Sequence, residues 1–363
     1  MKIIKMDPDH PEEEKIEEAV EILKKGKIVA FPTDTVYGLG VSAENEAAVK
    51  RLYQVKKRPL DKPMTLFLRK KGGFIRFAQA VPLFAQRLIN EFWPGPLTLI
   101  FKASQGSPPS LISKEGKIGL RLSAHPIPQT IIEKGKILLA TTSANLSGKF
   151  TPSAPGELDK ALLDGIDLLI DGGQTLLGEA STTVDVTRFP PLLIREGWLG
   201  PEQIEKAWQG KGDILFVCTG NTCRSPMAEG LLKKMWPQRQ GDEIKIGSAG
   251  TSALPGLHPP SLTQKIMKEK GVDISYHESK PLNQKMVEEA DLILVMEKVH
   301  KNKVLDLSSS AEGKVFLLKE FALGIEEEIL DPMGGSEESY GECVWQIEKS
   351  IEAMMEKLMG SGE

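Results

Sequence analysis

The sequence predicts an α/β protein with two domains, each built on a sheet flanked by helices. The chain has 363 residues, which exceeds what a single hydrophobic core usually holds. Helical and strand patterns alternate along its first half. A fresh apolar run then begins at Ile214, just after the glycine-containing stretch 209–213. We therefore place the domains at residues 1–209 and 210–363.

The elements of the first domain follow from apolar periodicity and from turn residues. Residues 12–25 are predicted to form a helix, because apolar residues recur three and four positions apart and Gly26 follows. Further predicted elements are a strand at 28–31, a helix at about 44–56, a strand at 64–68 and a closing helix at Pro201–Trp208. In the second domain, a strand at 214–217 precedes a loop and then a helix.

The composition is that of a globular protein, with 40% hydrophobic and 26% charged residues and a formal net charge of −4. The sequence has no apolar run of the roughly 20 residues that a membrane helix needs. Its first residues lack the apolar core of a signal peptide. Three cysteines suit a reducing compartment better than a disulfide framework. We expect a cytoplasmic protein with no membrane partner.

Residues 218–226 read CTGNTCRSP and carry the clearest chemical signal. A loop of this length, set between a strand and a helix, can point its backbone N–H groups at a tetrahedral oxyanion. We expect Arg224 to bind two phosphate oxygens, Cys218 to be the nucleophile and Ser225 to hydrogen-bond its thiolate. The residues expected to form the loop itself are Thr219, Gly220, Asn221, Thr222 and Cys223. Gly220 and Asn221 tolerate the unusual backbone angles that a tight anion loop needs.

The longer string VCTGNTCRSPMAE, at 217–229, resembles the low-molecular-weight protein phosphatase family. That resemblance implies a small domain with a central parallel sheet, a phosphocysteine intermediate and no cofactor. It also implies a general acid in an Asp-Pro pair, which here is Asp331 followed by Pro332. The substrate would be a phosphorylated protein.

Two features bear on which phosphorylated residue this domain accepts. Met333, Gly334 and Gly335 follow the Asp-Pro pair, where phosphotyrosine enzymes of the family often have aromatic residues. Thr222 stands where those enzymes commonly have an aliphatic residue. Both features resemble the bacterial protein-arginine phosphatases, so phosphoarginine is the expected substrate and phosphotyrosine the alternative. An arsenate reductase is disfavoured, because its disulfide relay would have only Cys223 and Cys343 to use.

Polar residues from distant segments of the first domain suggest a second site. Its basic candidates are Arg58, Lys62, Arg121 and Arg195, and its hydroxyl and amide candidates are Thr35, Ser143, Asn145, Ser181 and Thr182. Their convergence would suit a polyanionic small molecule or a nucleic-acid backbone. The sequence contains no phosphate loop of the Gly-x4-Gly-Lys type, so side chains would have to hold a nucleotide.

The motifs PTDTVYGLG, KKRPLDKP and TSANLSG, with further strings at 181–185 and 194–197, resemble the Sua5/YrdC/YciO family over about residues 10–207. The resemblance implies a twisted α/β sheet that makes threonylcarbamoyl-AMP from L-threonine, bicarbonate and ATP, with Mg²⁺. A transfer complex would pass the product to adenosine 37 of tRNA, giving t6A. The metal-binding residues stay unknown. The resemblance implies an ATP site of Arg58, Lys62, Ser143, Asn145 and Arg195, and a threonine site of Thr35, Arg121, Ser181 and Thr182.

The chain departs from this second family in two respects. Phe67 stands where many relatives have a histidine, and the second domain occupies the place of the C-terminal Sua5 domain. The sequence predicts a bifunctional enzyme. The alternative is an RNA-binding first domain without synthase activity, because nine basic residues lie between Lys50 and Lys71.

Overall fold

A computed structural model describes residues 1–60, 62–209, 212–237 and 244–359. The chain divides into two compact units. The first contains Met1–Gln79 and Glu91–Ala207, and the second contains Ala80–Asn90 and the residues from Trp208 onward. Gly210 and Lys211, in the middle of the stretch that separates the predicted domains, lie outside the described residues.

In the first unit, ten strands of the described residues form one mixed sheet with the order β1-β8-β2-β3-β7-β4-β6-β5-β9-β10. Most of these strands are buried on both faces, as expected of a sheet covered by helices. The strands are β1 (Lys2–Lys5), β2 (Val29–Phe31), β3 (Gly38–Ser42), β4 (Thr65–Phe67), β5 (Leu97–Lys102), β6 (Lys117–Arg121), β7 (Leu139–Ser143), β8 (Leu168–Asp171), β9 (Thr182–Asp185) and β10 (Leu192–Arg195).

The helices of this half are α1 (Glu13–Lys24), α2 (Glu46–Val55), α3 (Leu83–Phe92), α4 (Pro126–Gly135), α5 (Lys160–Leu163) and α6 (Pro201–Trp208). Most of α3 belongs to the second unit. The predicted helices are confirmed to within two residues. Helix α2 begins at Glu46 because the Asn45 side chain caps it, accepting a hydrogen bond from the Ala48 amide at 3.0 Å. The apolar face of α1 packs into a core with α4 and the strands β2, β7 and β8.

The second unit has a parallel sheet of four described strands with the order β12-β11-β13-β14. The strands are β11 (Gly212–Cys218), β12 (Ile244–Gly250), β13 (Leu292–Val295) and β14 (Val315–Leu317). The helices are α7 (Arg224–Met235), α8 (Ser261–Glu269), α9 (Gln284–Glu289), α10 (Lys298–Leu307), α11 (Leu318–Leu323) and α12 (Glu337–Met359). The predicted fold class, two α/β bodies of which the second has a parallel sheet, is confirmed. Within the described ranges, no helix has the length and apolar character required to cross a bilayer.

The parallel register of the second sheet brings three strand ends together. Cys218 at the end of β11 pairs with Gly250 at the end of β12, and Val217 pairs with Val295 at the end of β13. Loops that leave the carboxyl edge of such a sheet share one crevice, which is where open α/β sheets bind ligands.

Candidate active sites

The loop at 218–224 surrounds the Cys218 sulfur with hydrogen-bond donors. The thiol is buried, the Asn221 backbone N–H donates to Sγ at 3.3 Å, and the Ser225 hydroxyl lies 3.0 Å from it. Helix α7 begins at Arg224, so its N-terminal end faces the loop. The loop therefore directs backbone and hydroxyl groups and the positive end of a helix dipole at the position where an anion would bind, with Ser225 within hydrogen-bond distance of Cys218.

Asn221 holds the shape of the loop. Its φ of +54° lies in the left-handed region, and its side-chain amide donates to the Ser225 and Ser248 hydroxyls at 2.9 and 2.8 Å. The sequence also predicted an unusual backbone angle at Gly220, but that residue is absent from the positive-φ positions of the described chain. The glycine with a steric role here is Gly250, where an added Cβ would lie 2.6 Å from the Thr219 carbonyl oxygen.

Arg224 is almost fully buried and already binds two carboxylates. Its Nη2 lies 2.5 Å from Asp331 Oδ2, its Nη1 lies 3.1 Å from Glu297 Oε2, and Nη1 also donates to the Ile329 carbonyl at 2.9 Å. Its Nε is buried and, among the residues that the structure describes, has no hydrogen-bond acceptor. An unsatisfied guanidinium N–H beside an anion loop is a ready donor to a phosphate oxygen.

His300 lies directly behind the loop. It is buried, and its Nε2 lies 2.8 Å from the Thr219 hydroxyl. Burial, with the positive charges of Arg224 and Lys303, lowers the pKa of His300 to about 4. Glu297, which contacts Arg224, is a site residue that sequence reasoning missed, and no motif in the sequence marks Glu297 or His300.

The remaining residues predicted for this site border the same loop. Thr222 and Cys223 are buried, and their side-chain oxygen and sulfur lie 3.8 Å apart. Met333 is exposed just after Asp331, and Gly334 has a φ of +77°. The structure thus brings Cys218, Arg224, Ser225 and Asp331 into one site.

The first unit contains an open cavity at the ends of β3, β4, β6 and β7. The empty space within it, including open solvent at the mouth, is about 570 Å³. It is lined by six of the nine residues predicted for this unit, namely Thr35, Arg58, Arg121, Ser143, Ser181 and Arg195. Phe67 also lines it.

Three guanidinium groups converge on this cavity. Arg121 donates to Asp34 Oδ2 at 2.8 Å and to the Thr35 hydroxyl at 3.0 Å. Arg195 donates through Nη2 to the Ser181 carbonyl and hydroxyl at 2.7 and 3.0 Å. Burial, and then the neighbouring charges of Arg121 and Arg58, lower the pKa of Arg195. This mutual repulsion indicates a site that would gain from a bound polyanion.

The other three predicted residues do not line the cavity. Lys62 is exposed to solvent. The Asn145 side chain is occupied by the Ser143 hydroxyl at 2.7 Å and by the Lys149 carbonyl. Thr182 is buried away from the cavity, because its hydroxyl donates to the Leu199 carbonyl at 2.7 Å and accepts from the Leu199 amide at 2.9 Å.

Lys56 is a second residue that sequence reasoning missed. Its ammonium group is buried and donates to the carbonyl oxygens of Ser143 and Asn145 and to the Asn145 side chain. It therefore ties the end of α2 to the loop after β7, one edge of the cavity. Two other members of the basic cluster at 50–71 are paired with acids, since Arg51 contacts Asp167 and Arg69 contacts Glu133.

Comparisons with known proteins identify both halves. The family model Sua5_yciO_yrdC, described as "Telomere recombination", matches residues 21–197, and the model "Low molecular weight phosphotyrosine protein phosphatase" matches residues 213–362. The chain belongs to both families, one in each half.

Three relatives show how the matches divide. The threonylcarbamoyl-AMP synthase of Pyrococcus abyssi is 40% identical over 195 residues, which cover 54% of this chain and 57% of that one. A putative threonylcarbamoyl-AMP synthase of Methanocaldococcus jannaschii is 39% identical over 200 residues, which cover 54% of this chain and 93% of that one. The protein-arginine-phosphatase of Bacillus subtilis is 38% identical over 146 residues, which cover 40% of this chain and 96% of that one.

A solved structure of Pyrococcus abyssi Sua5, complexed with L-threonine, is similar with a TM-score of 0.54 and 25% identity. The match covers 87% of this chain and 99% of that one.

Proposed function

We propose that residues 1–209 make threonylcarbamoyl-AMP from L-threonine, bicarbonate and ATP, and that residues 210–363 hydrolyse phosphorylated protein, with phosphoarginine preferred. The first activity is supported chiefly by the convergence of Arg58, Arg121 and Arg195 on one open cavity. The second is supported chiefly by the buried, unsatisfied Arg224 Nε beside the Cys218 loop. The threonylcarbamoyl product would serve the t6A modification of tRNA.

The chemistry of the first reaction explains why cationic side chains are needed. The amine of threonine and CO₂ give a carbamate, whose oxygen attacks the α-phosphorus of ATP while pyrophosphate leaves. Two anions must meet, so the site has to neutralise charge before the bond forms. Arg121 is balanced by Asp34 and would bind the threonine carboxylate, with Thr35 and Ser181 near the amine and hydroxyl. Arg58 and Arg195 would bind the phosphates. Magnesium would enter as part of the ATP substrate.

The test uses the full chain, because residues 80–90 group with the second unit and a cut at 209 would separate them from it. Pyrophosphate release from ATP should require both L-threonine and bicarbonate. Arg195→Ala should cost about 2–4 kcal/mol of transition-state stabilisation, a loss of roughly 30- to 1,000-fold in kcat/KM. Arg69→Ala is the control, since Arg69 pairs with Glu133 on the surface outside the cavity. Full activity in Arg195→Ala would contradict the proposal that this cavity binds ATP.

In the second reaction, the Cys218 thiolate attacks phosphorus and forms a phosphocysteine while the leaving group departs. Arg224 binds the equatorial oxygens through its free Nε. Asp331, released from Arg224 when the phosphoryl group arrives, gives a proton to the leaving nitrogen or oxygen. Asp331 then accepts a proton from the water that hydrolyses the intermediate. Cys218→Ser should abolish turnover, because an alcohol is a far weaker nucleophile at neutral pH.

Phosphoarginine is preferred for two reasons. The acid loop continues with Met333 and two glycines, which provide no aromatic wall for a phenyl ring, and Thr222 can orient the attacking water. Thr222→Ile removes that hydroxyl and adds an apolar surface. The variant should therefore lose phosphoarginine activity and keep or gain phosphotyrosine activity, measured as kcat/KM for both substrates. If the wild type already prefers phosphotyrosine, the phosphotyrosine alternative replaces this proposal.

A further inference from the structure

A buried group of hydroxyls and a thiol lies beneath the anion loop of the second unit. It consists of Thr222 and Cys223 of the loop and Thr263 of α8, and we call it the hydroxyl–thiol cluster. All three residues are less than one-tenth exposed. The Thr263 hydroxyl donates to Cys223 Sγ at 3.5 Å.

The cluster is polar where simple packing would favour apolar side chains. Valine would fill the volume of Thr263 without burying a hydroxyl. Burying a hydroxyl is unfavourable unless it is hydrogen-bonded, and here the Thr263 hydroxyl bonds to the Cys223 sulfur. Burial raises the pKa of the Cys223 thiol, so it stays a neutral S–H group.

The Cys223 thiol links Thr263 to the side chain of Thr222. Cys223 Sγ lies 3.8 Å from Thr222 Oγ1, within the distance of a sulfur hydrogen bond. Thr222 Oγ1 also lies close to Gly220, since a Cβ added at Gly220 would be 3.5 Å from this oxygen. A threonine side chain has few rotamers, so one fixed neighbour is enough to decide where its hydroxyl points.

We infer that Thr263 is a positioning residue that acts through the Cys223 thiol to hold the Thr222 hydroxyl in place for phosphocysteine hydrolysis. This inference rests on the proposed function of the second unit. In that step a water oxygen bonds to phosphorus, the P–S bond breaks, and its electron pair leaves on Cys218 Sγ. The water proton passes to the Asp331 carboxylate, and inorganic phosphate is released. Thr222 Oγ1 accepts a hydrogen bond from the water and so keeps it in line with the P–S bond.

The experiment separates the two chemical steps with an activated aryl phosphate. For such a good leaving group, hydrolysis of the intermediate limits kcat, whereas kcat/KM reports formation of the phosphocysteine. Thr263→Val should lower kcat about three- to ten-fold, the effect of losing one orienting hydrogen bond, and change kcat/KM less than two-fold. The size of the pre-steady-state burst of aryl alcohol should be retained.

Matched variants distinguish orientation from general loosening of the fold. Thr263→Ser restores the hydroxyl and should return kcat to within two-fold of the wild type. In a Thr222→Val background no hydroxyl remains to be oriented, so Thr263→Val should have no further effect on kcat. Equal losses in kcat and kcat/KM, or an undiminished effect in the Thr222→Val background, would overturn the inference.

The same experiment distinguishes loss of the Thr263 positioning role from failure of the proposed function. The readout is hydrolysis of a phosphocysteine formed from an aryl phosphate, so it does not depend on a preference for phosphoarginine. If the wild type prefers phosphotyrosine, the proposed preference for phosphoarginine is wrong, and the positioning role of Thr263 still stands. A wild type that forms no phosphocysteine would overturn both.

Discussion

Lys56 provides the sharpest test of how the first unit holds its cavity. Its ammonium group is buried and serves two carbonyl oxygens and one side-chain oxygen, all from Ser143 and Asn145. Lys56→Met keeps the length and burial of the side chain but removes every donor. Three acceptors then lose their hydrogen bond from Lys56 at once, while Asn145 Oδ1 keeps its hydrogen bond from the Ser143 hydroxyl at 2.7 Å.

The magnitude follows from those three acceptors. A buried acceptor left unsatisfied costs about 1–3 kcal/mol, and the three costs are not additive because one ammonium group serves all of them. Methionine also relieves the cost of burying the amine, which offsets part of the loss. We therefore expect the free energy of unfolding of the first unit to fall by about 3 kcal/mol.

The assay combines urea unfolding with amide hydrogen exchange, so that the first unit is followed within the full chain. Ser147 is the local reporter, since its amide donates to the Lys56 carbonyl at 3.1 Å. Its exchange should accelerate, and threonine-dependent pyrophosphate release should fall because Ser143 lines the cavity. Lys57→Met is the matched control, since Lys57 is the exposed neighbour of Lys56. If the two variants differ by less than about 0.5 kcal/mol and Ser147 exchange is unchanged, the reasoning is wrong.

Three further outcomes are expected. Asp331→Asn should slow poor leaving groups far more than an activated aryl phosphate, because a good leaving group needs no proton, and equal slowing would exclude Asp331 as the acid. Phe67 lines the cavity, and its ring centre lies 5.5 Å from the Arg121 guanidinium carbon. Phe67→His should add a hydrogen-bonding group there and lower KM for threonine about three-fold. An unchanged KM would contradict a role for this position in threonine binding. Burial lowers the pKa of Lys56 from 10.5 to about 7, so between these pH values the unfolded chain binds more protons than the folded chain. The unfolding free energy of the wild type should therefore rise with pH relative to that of Lys56→Met. A difference that stays constant across this range would refute the lowered pKa of Lys56.

The sequence predicted best what lies in contiguous segments. Helix α6 has the predicted bounds, and the loop that begins at Cys218 connects the predicted strand to the predicted helix. The left-handed conformation of Asn221 was expected because asparagine tolerates that region better than most residues. These features are local, so residue type and spacing were enough to predict them.

The sequence predicted less well what depends on contacts between distant segments. Glu297 and His300 reach the phosphatase loop from more than 70 residues away, and neither lies in a motif. Lys56 was counted only within the basic cluster at 50–71, because sequence alone does not show that the loop after β7 covers it. Ser181 and Thr182 illustrate a signal that was available. Neighbouring residues at a strand end point to opposite faces, so only one of the two can reach the cavity.

The ion pair between Arg224 and Asp331 has a consequence for ligands that are not substrates. An oxyanion such as vanadate must displace the Asp331 carboxylate to reach the guanidinium, and the displaced carboxylate then faces a negative ligand. The carboxylate is therefore an internal competitor of any oxyanion for Arg224. Asp331→Asn removes that negative charge, so vanadate should bind this variant more tightly than it binds the wild type. Tighter binding to Asp331→Asn is thus the signature by which an inhibitor that occupies this loop can be recognised.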